Sequence, residues 1–201
     1  VDGFIVDILR GSLLVEIQTV NFSAIKRKLV ALTRHHPVRL IYPIAREKWI
    51  VRLAKDGNDA LGRRKSPKRG TLEQVFGELV SFPRLLSSPN FSLDVLLIRE
   101  EEVRRYDGKR GWRRHGWVTH ERRLLQVVDH RLFETPADMA ALLPQGVTEP
   151  FTTSDLATAI AKPRWLAQKM AYCLREMGVI VPVGKRGNAI LYAQAPPGTH
   201  V

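Results

Sequence analysis

Two short apolar runs, residues 4–9 and 13–19, stand either side of Arg10-Gly11-Ser12 and set the pattern at the start of the chain. Branched apolar residues flanking a glycine-bearing break predict a β-hairpin. Strand side chains alternate faces, so Glu16 and Gln18 share one face with Leu14, while Leu13, Val15 and Ile17 share the other. A carboxylate on a strand otherwise fit for burial costs free energy unless it is paired, hydrogen-bonded or metal-bound. The alternative is an edge hairpin with one wet face. Asn21 is placed as an N-cap, and Phe22, Ile25, Leu29 and Leu32 recur at helical spacing, predicting a helix over 21–36 that ends at His35-His36 before Pro37. Residues 38–44 form the next apolar run. Strand, helix and strand of this length predict a right-handed crossover between parallel strands.

Further along, 49–53 reads as another strand, joined to 38–44 by residues 45–48, with a turn at Asp56-Gly57-Asn58. Residues 63–70 carry five basic side chains in eight positions with Pro67 and Gly70, the pattern of a flexible basic loop. Thr71 is placed to cap a helix over 72–79 that Pro83 interrupts or ends, and 87–90 reads as a loop. A strand over 91–98 leads into Glu100-Glu101-Glu102, whose consecutive spacing scatters the carboxylates over both faces and predicts a solvated strand end rather than a metal site. Residues 104–123 interleave arginines with Tyr106, Trp112 and Trp117, and Asp107-Gly108, Gly111 and Gly116 predict a hairpin. The aromatics suit either base stacking or anchoring of the hairpin to the core. A helix is predicted over 121–133.

From residue 134 the pattern turns helical. Thr135-Pro136-Ala137-Asp138 opens one helix, Thr152-Thr153-Ser154-Asp155 a second, and Pro163 a third that Gly178 stops. On the third, Leu166, Met170, Cys173 and Met177 make one apolar stripe, so Cys173 is expected to be inert packing. Residues 179–183 and 189–193 then flank Lys185-Arg186-Gly187-Asn188 as a hairpin with a basic tip. Two domains are expected, 1–133 and 134–201.

Composition narrows the classes. The 201 residues hold 32 Lys and Arg against 20 Asp and Glu, a net charge of +12. Such an excess favours a nucleic-acid partner over a membrane surface, because no basic amphipathic anchor is present. No apolar run reaches the roughly 20 residues of a membrane span. A single cysteine excludes an intramolecular disulfide framework and a Cys-rich zinc site, and makes a cytoplasmic setting the default.

Asp2, the apolar hairpin, Glu16-Ile17-Gln18, a helix and a parallel strand together resemble the PD-(D/E)xK nuclease superfamily, closest in pattern to archaeal Holliday-junction resolvases and restriction-type nucleases. The resemblance covers about residues 1–54. It implies an α/β fold with a restriction-endonuclease-like mixed sheet, and a magnesium-dependent endonuclease, a hydrolase of phosphodiester bonds, with manganese as a substitute metal. Asp2 and Glu16, joined by the Ile17 carbonyl, would hold the ion, and Gln18 would orient water. Asp7 is the rival ligand, because a simple turn puts it on the Glu16 face, whereas Asp2 needs a bulge near Gly3. Three departures stand out. Val1 precedes Asp2 where the family has Pro, and Gln18 replaces the usual Lys and can neither carry charge nor take a proton. The family's first helix is absent, so an N-terminally truncated sequence is expected. Some members draw the lysine from the following helix, where Lys26 is the candidate; a solvated or phosphate-contacting face is its alternative. A homodimer is implied by resemblance only.

Residues 152–193 resemble a winged helix-turn-helix, an α+β domain. By that resemblance Arg164, Trp165, Gln168, Lys169 and Tyr172 would meet DNA bases or phosphates, and Lys185 and Arg186 would be wing contacts. Arg63, Arg64, Lys65, Lys68 and Arg69 of the basic loop are expected on the phosphate backbone. Three readings follow: a DNA endonuclease targeted by a winged helix, a DNA-binding protein that does not cut, and an RNA-binding module that stacks bases near Trp112.

Overall fold

A computed structural model describes residues 1–54, 59–108, 110 and 115–196. It is a mixed α/β structure with a mixed sheet and several helices. The chain divides into two compact units, one of residues Val1–Tyr42, Leu72–Val95 and Arg131–Val201, the other of Pro43–Thr71 and Leu96–His130. Among the described residues no helix is long and apolar enough to cross a membrane.

In the first unit the apolar runs do make a hairpin, though a shorter one. Strands β1 (Ile8–Arg10) and β2 (Leu13–Ile17) pair antiparallel around Gly11-Ser12, and Gly11 takes the positive φ of +61° that this tight turn requires. Helix α1 (Phe22–Leu32) leads to β3 (Val38–Leu53), whose first residues pair parallel to β2, as the strand–helix–strand pattern predicts. Phe22, Leu29 and Leu32 are fully buried, the stripe read from the sequence. The cap differs: Asn21 stands at the N-cap but sits in the left-handed region and makes no side-chain cap. The Phe22 N–H instead donates to Glu78 Oε2 at 3.1 Å. A stacked pair, Phe22 on Phe82 at 5.4 Å between ring centroids, joins α1 to residues 72–95.

Those residues fold as a 3₁₀ turn (Leu72–Val75), the short helix α2 (Phe76–Leu79) and a second 3₁₀ turn (Pro83–Ser87) that Pro83 opens. The expected Thr71 cap does not form, since its buried hydroxyl has no hydrogen-bond partner. Helices α3 (Pro136–Ala140), α4 (Thr153–Ala159) and α5 (Arg164–Glu176) follow, then the antiparallel pair β7 (Ile180–Arg186) and β8 (Ala189–Gln194). Thr135 and Thr152 both make full capping boxes with the Asp three residues on, so the two threonine starts hold. Strand β7 continues through Lys185 and Arg186, leaving Gly187-Asn188 as the tip.

Leu166, Met170, Cys173 and Met177 are all buried on α5. Burial pushes the Cys173 thiol up to about 12, with Lys169 pulling weakly the other way. The native protein is therefore expected to leave Cys173 unlabelled by a thiol reagent such as DTNB at pH 8, and to titrate one thiol only after denaturation. Stoichiometric labelling of the folded chain would contradict this.

The second unit differs most from the sequence expectation. Residues 38–53 form one continuous strand rather than two, because 45–48 (Ala-Arg-Glu-Lys) holds no turn former and its charges find cross-strand partners. Arg63, Arg64 and Lys65 lie not on a loop but on β4 (Ala60–Lys65), antiparallel to β3. The expected turn at 56–58 falls outside the described residues. Strand β5 (Phe91–Tyr106) runs straight through the three glutamates, and β6 (Trp117–Phe133) occupies the segment expected as a helix over 121–133. Its pairing is anchored by long-range contacts, among them Arg99 Nη1 donating to Gln126 Oε1 at 2.9 Å. The hairpin expected at 104–123 is present in its described part, where the Asp107 N–H donates to the Gly116 carbonyl at 2.9 Å, while Lys109, Gly111 and Trp112 fall outside the described residues. The sheet runs β1-β2-β3-β5-β6, with β4 on β3. Gly70 lies so close to β3 that a Cβ would stand 2.5 Å from Ile44 Cγ2 and 2.6 Å from the Ala45 carbonyl oxygen.

Candidate functional site

The hairpin register decides which acidic residues can act together. Pairing of Ile8 with Val15, Leu9 with Leu14 and Arg10 with Leu13, carried one pair further, sets Asp7 across from Glu16. Asp7 Oδ2 accepts from the Ile17 N–H at 2.8 Å, which pins this carboxylate against the end of β2. Glu16 is only 4% exposed, on the Leu14 face, so the wet-face alternative for this carboxylate does not hold.

A buried carboxylate needs compensation, and helix α1 supplies it. Lys28 Nζ lies 2.5 Å from Glu16 Oε1. The approach lacks hydrogen-bond geometry, so that oxygen has a charge partner but no directional donor. In the sequence Lys28 stands with Lys26 and Arg27 off the apolar face of the helix, on the opposite flank of the α1 stripe from Lys26, and nothing in the pattern singles it out. Lys26 instead lines a groove with Val30, Phe82, Arg84, Tyr172 and Glu176.

Asp2 stands elsewhere. It precedes the strand with a φ of +48°, and its Oδ2 meets His36 Nε2 at 2.9 Å. The Gln18 amide donates from Nε2 to the carbonyls of Val20 at 2.6 Å and Asn21 at 3.3 Å, which fixes the side chain at the turn into α1. Ile17 closes β2. Among the described residues no group of three or more His, Cys, Asp and Glu side chains has the arrangement to hold a metal. Two carboxylates with a main-chain oxygen nonetheless fit a hard cation of the magnesium type, which takes one or two carboxylates and completes its shell with water and substrate phosphate. The buried Glu16 Oε1, without a hydrogen-bond donor, is the observation that supports this fit.

The basic residues separate into engaged and open ones. Arg63 pairs with Glu101 at 2.8 Å and Lys65 with Glu47 at 2.6 Å, and both cations lie over the Trp49 ring. Arg64, Lys68 and Arg69 are exposed and make no ion pair among the described residues. On α5, Lys169 Nζ donates to the Gly77 carbonyl at 2.7 Å and lies over Trp165, so part of the face expected on DNA docks against α2. Tyr172 lies under Arg175 beside the Lys26 groove. Arg186, at the end of β7, is turned to Asp155 and Thr152. Arg164, Gln168 and Lys185 remain exposed.

The acidic run on β5 is no solvated strand end. Glu100 and Glu102 are buried on one face, with Lys48 Nζ 2.7 Å and 3.1 Å from them, and Arg104 Nε and Thr119 Oγ1 donate to Glu102 Oε1 at 2.7 Å and 3.1 Å. Burial opposes ionisation of Glu102, but hydrogen bonds from Arg104 and Lys48, with their charges, outweigh it and hold the carboxyl down to about 2.

Fold and site thus define a mixed α/β protein with an acidic hairpin backed by a helix lysine. The chain belongs to the DUF8091 family, described as a domain of unknown function, whose model matches residues 1–134. It is 32% identical over 200 residues to an uncharacterized protein of Treponema pallidum (strain Nichols), a match that covers 94% of this chain and 78% of the relative. No solved structure matches the chain significantly.

Proposed function

We propose that this chain is a divalent-metal-dependent DNA endonuclease of the PD-(D/E)xK type, with Asp7 and Glu16, rather than Asp2 and Glu16, as the acidic pair. The observation that carries the reading is the hairpin register, which, carried one pair beyond Ile8 and Val15, sets Asp7 across from a buried Glu16 whose ion-pair partner among the described residues is the helix lysine Lys28. Asp7, Glu16 and the Ile17 carbonyl would hold magnesium or manganese. When bound, the ion supplies Lewis acidity at the phosphate and lowers the pKa of water. Lys28, held at Glu16 in this structure, would supply a positive charge to the same site. Gln18, pinned through its Nε2, presents its amide oxygen to orient water but cannot serve as a base. Arg164, Gln168 and Lys185 of the winged-helix-like segment, with Lys68 and Arg69, are the exposed groups that would reach DNA.

A second reading, a DNA-binding protein that does not cut, is favoured by Gln18 in the lysine position and by Lys28 sitting at Glu16. Asp7→Asn and Asp2→Asn separate the ligand assignments. Asp7→Asn is expected to lower the cleavage rate about a hundredfold or more, and Asp2→Asn by less than about threefold. The reverse order in a timed nicking assay would return the role to Asp2.

A further inference from the structure

The second unit has an opening of a different character from the acidic hairpin. A cleft of about 320 Å³ is lined by Ile50, Arg52, Leu61, Arg63, Arg64 and Trp117, together with Gly62. Its strand register explains the composition: Ile50 pairs with Arg64 and Arg52 with Gly62, so Ile50, Arg52 and Arg64 share one face of the β3–β4 ribbon. Among the described residues no carboxylate lines it. Arg63 is turned to Glu101, but Arg52 and Arg64 make no ion pair among the described residues. Arg52 lies over the Trp117 ring, 4.9 Å from its centroid, and Tyr106 meets the same ring edge-on at 5.7 Å. Leu61, at the rim, is 66% exposed. Two uncompensated guanidinium groups beside an aromatic ring, with apolar walls, match the chemistry of an unpaired base with its phosphate.

We propose that this cleft binds single-stranded nucleic acid, with a base against the Trp117–Arg52 pair, bounded by Ile50 and Leu61, and the adjoining phosphate on Arg64. A base within a duplex is stacked on both faces and cannot enter a recess of this kind, so the occupant is unpaired. Aromatic rings and guanidinium planes accept any base, and the phosphate contact is blind to sequence, so binding is sequence-tolerant and salt-sensitive. The site lies within Pro43–Thr71 and Leu96–His130, whereas the acidic hairpin belongs to the first unit. The proposal does not depend on the hairpin cutting DNA, and a chain that binds without cleaving satisfies it.

The test is fluorescence anisotropy with the full chain and labelled dT12, rU12 and a 12-base-pair duplex, in EDTA so that no cleavage intervenes. Trp117→Ala is expected to weaken single-strand binding about tenfold. Arg64→Gln is expected to weaken it and to reduce the log–log salt slope by about 0.7, the contribution of one phosphate contact on a single strand. Arg34→Gln, which removes one exposed charge from the turn after α1, controls for net charge and is expected to change little. Should Trp117→Ala unfold the chain by circular dichroism, Arg64→Gln and Arg52→Gln decide alone. Tighter binding of dT12 or of rU12 identifies DNA or RNA as the source, and either supports the site. Equal losses in Arg34→Gln and Arg64→Gln, preference for the duplex, or capture of a labelled hepta-glutamate peptide in place of both oligonucleotides would overturn it.

Discussion

Glu16→Gln is expected to abolish metal-stimulated DNA cleavage while leaving DNA binding within about threefold of the parent. The substitution keeps size and hydrogen-bonding capacity but removes the charge that a cation requires, and losing a ligand of this kind forfeits several kcal/mol of transition-state stabilisation, about a thousandfold in rate. On the proposed reading DNA binding would be carried by exposed cations other than the hairpin residues, so it is not expected to follow the loss. The same substitution also leaves Lys28 without its partner at 2.5 Å. A companion variant, Lys28→Met, separates the two effects: it retains both carboxylates and is expected to slow cleavage without ending the response to metal. Cleavage by Glu16→Gln at the parental rate would remove the hairpin from the chemistry.

The largest effect on stability is expected at Glu102 on β5. Glu102 is 1% exposed, and its carboxylate accepts from Arg104, Lys48 and Thr119. Removing one member of a buried charge cluster leaves the others uncompensated, which costs about 3–5 kcal/mol; Lys48 retains Glu100, so the low end, about 3 kcal/mol, is expected for Glu102→Gln. For a chain of this size that lowers the melting temperature by about 6–12 °C. The pH dependence has a definite sign. A folded carboxyl held down to about 2, against the ordinary glutamate value of 4.5, contributes stability that is fully present above about 4.5 and lost as pH falls towards 2. Urea titrations from pH 6 to pH 2 should therefore show Glu102→Gln flatter than the parent below pH 4.5. Parallel curves, or an unshifted melting temperature at pH 7, would show that the cluster adds no net stability.

The parts legible in the sequence are those set by local pattern. The α5 stripe from Leu166 to Met177 declares itself at helical period, and Gly178 marks its end. The Gly11-Ser12 turn and the parallel return of β3 follow from runs whose length and punctuation admit few alternatives. What escaped reading depends on residues distant in the chain. Residues 121–133 mix charge with Leu124, Leu125 and Val127 in a way compatible with either period, and only pairing to β5 settles it as strand. Glu100 and Glu102 look solvated until Lys48, some fifty residues earlier, is placed beneath them. Lys26 and Lys28 flank the α1 stripe on opposite sides, and the docking of that helix on the sheet, not its periodicity, brings Lys28 to Glu16. The same holds for Asp2 and Asp7: alternation narrows the choice, but His36 takes one and the Ile17 N–H the other.

The measurement that bears most directly on the acidic hairpin is a cleavage time course with the full chain. Labelled linear and branched duplex DNA would be incubated with magnesium, manganese or EDTA, and binding followed in the same lanes by mobility shift. The account predicts products that accumulate with either metal, vanish in EDTA and vanish in Glu16→Gln although the shifted complex persists. Intact DNA in every lane, with salt-dependent binding retained, would contradict it and leave a protein that holds DNA without cutting it.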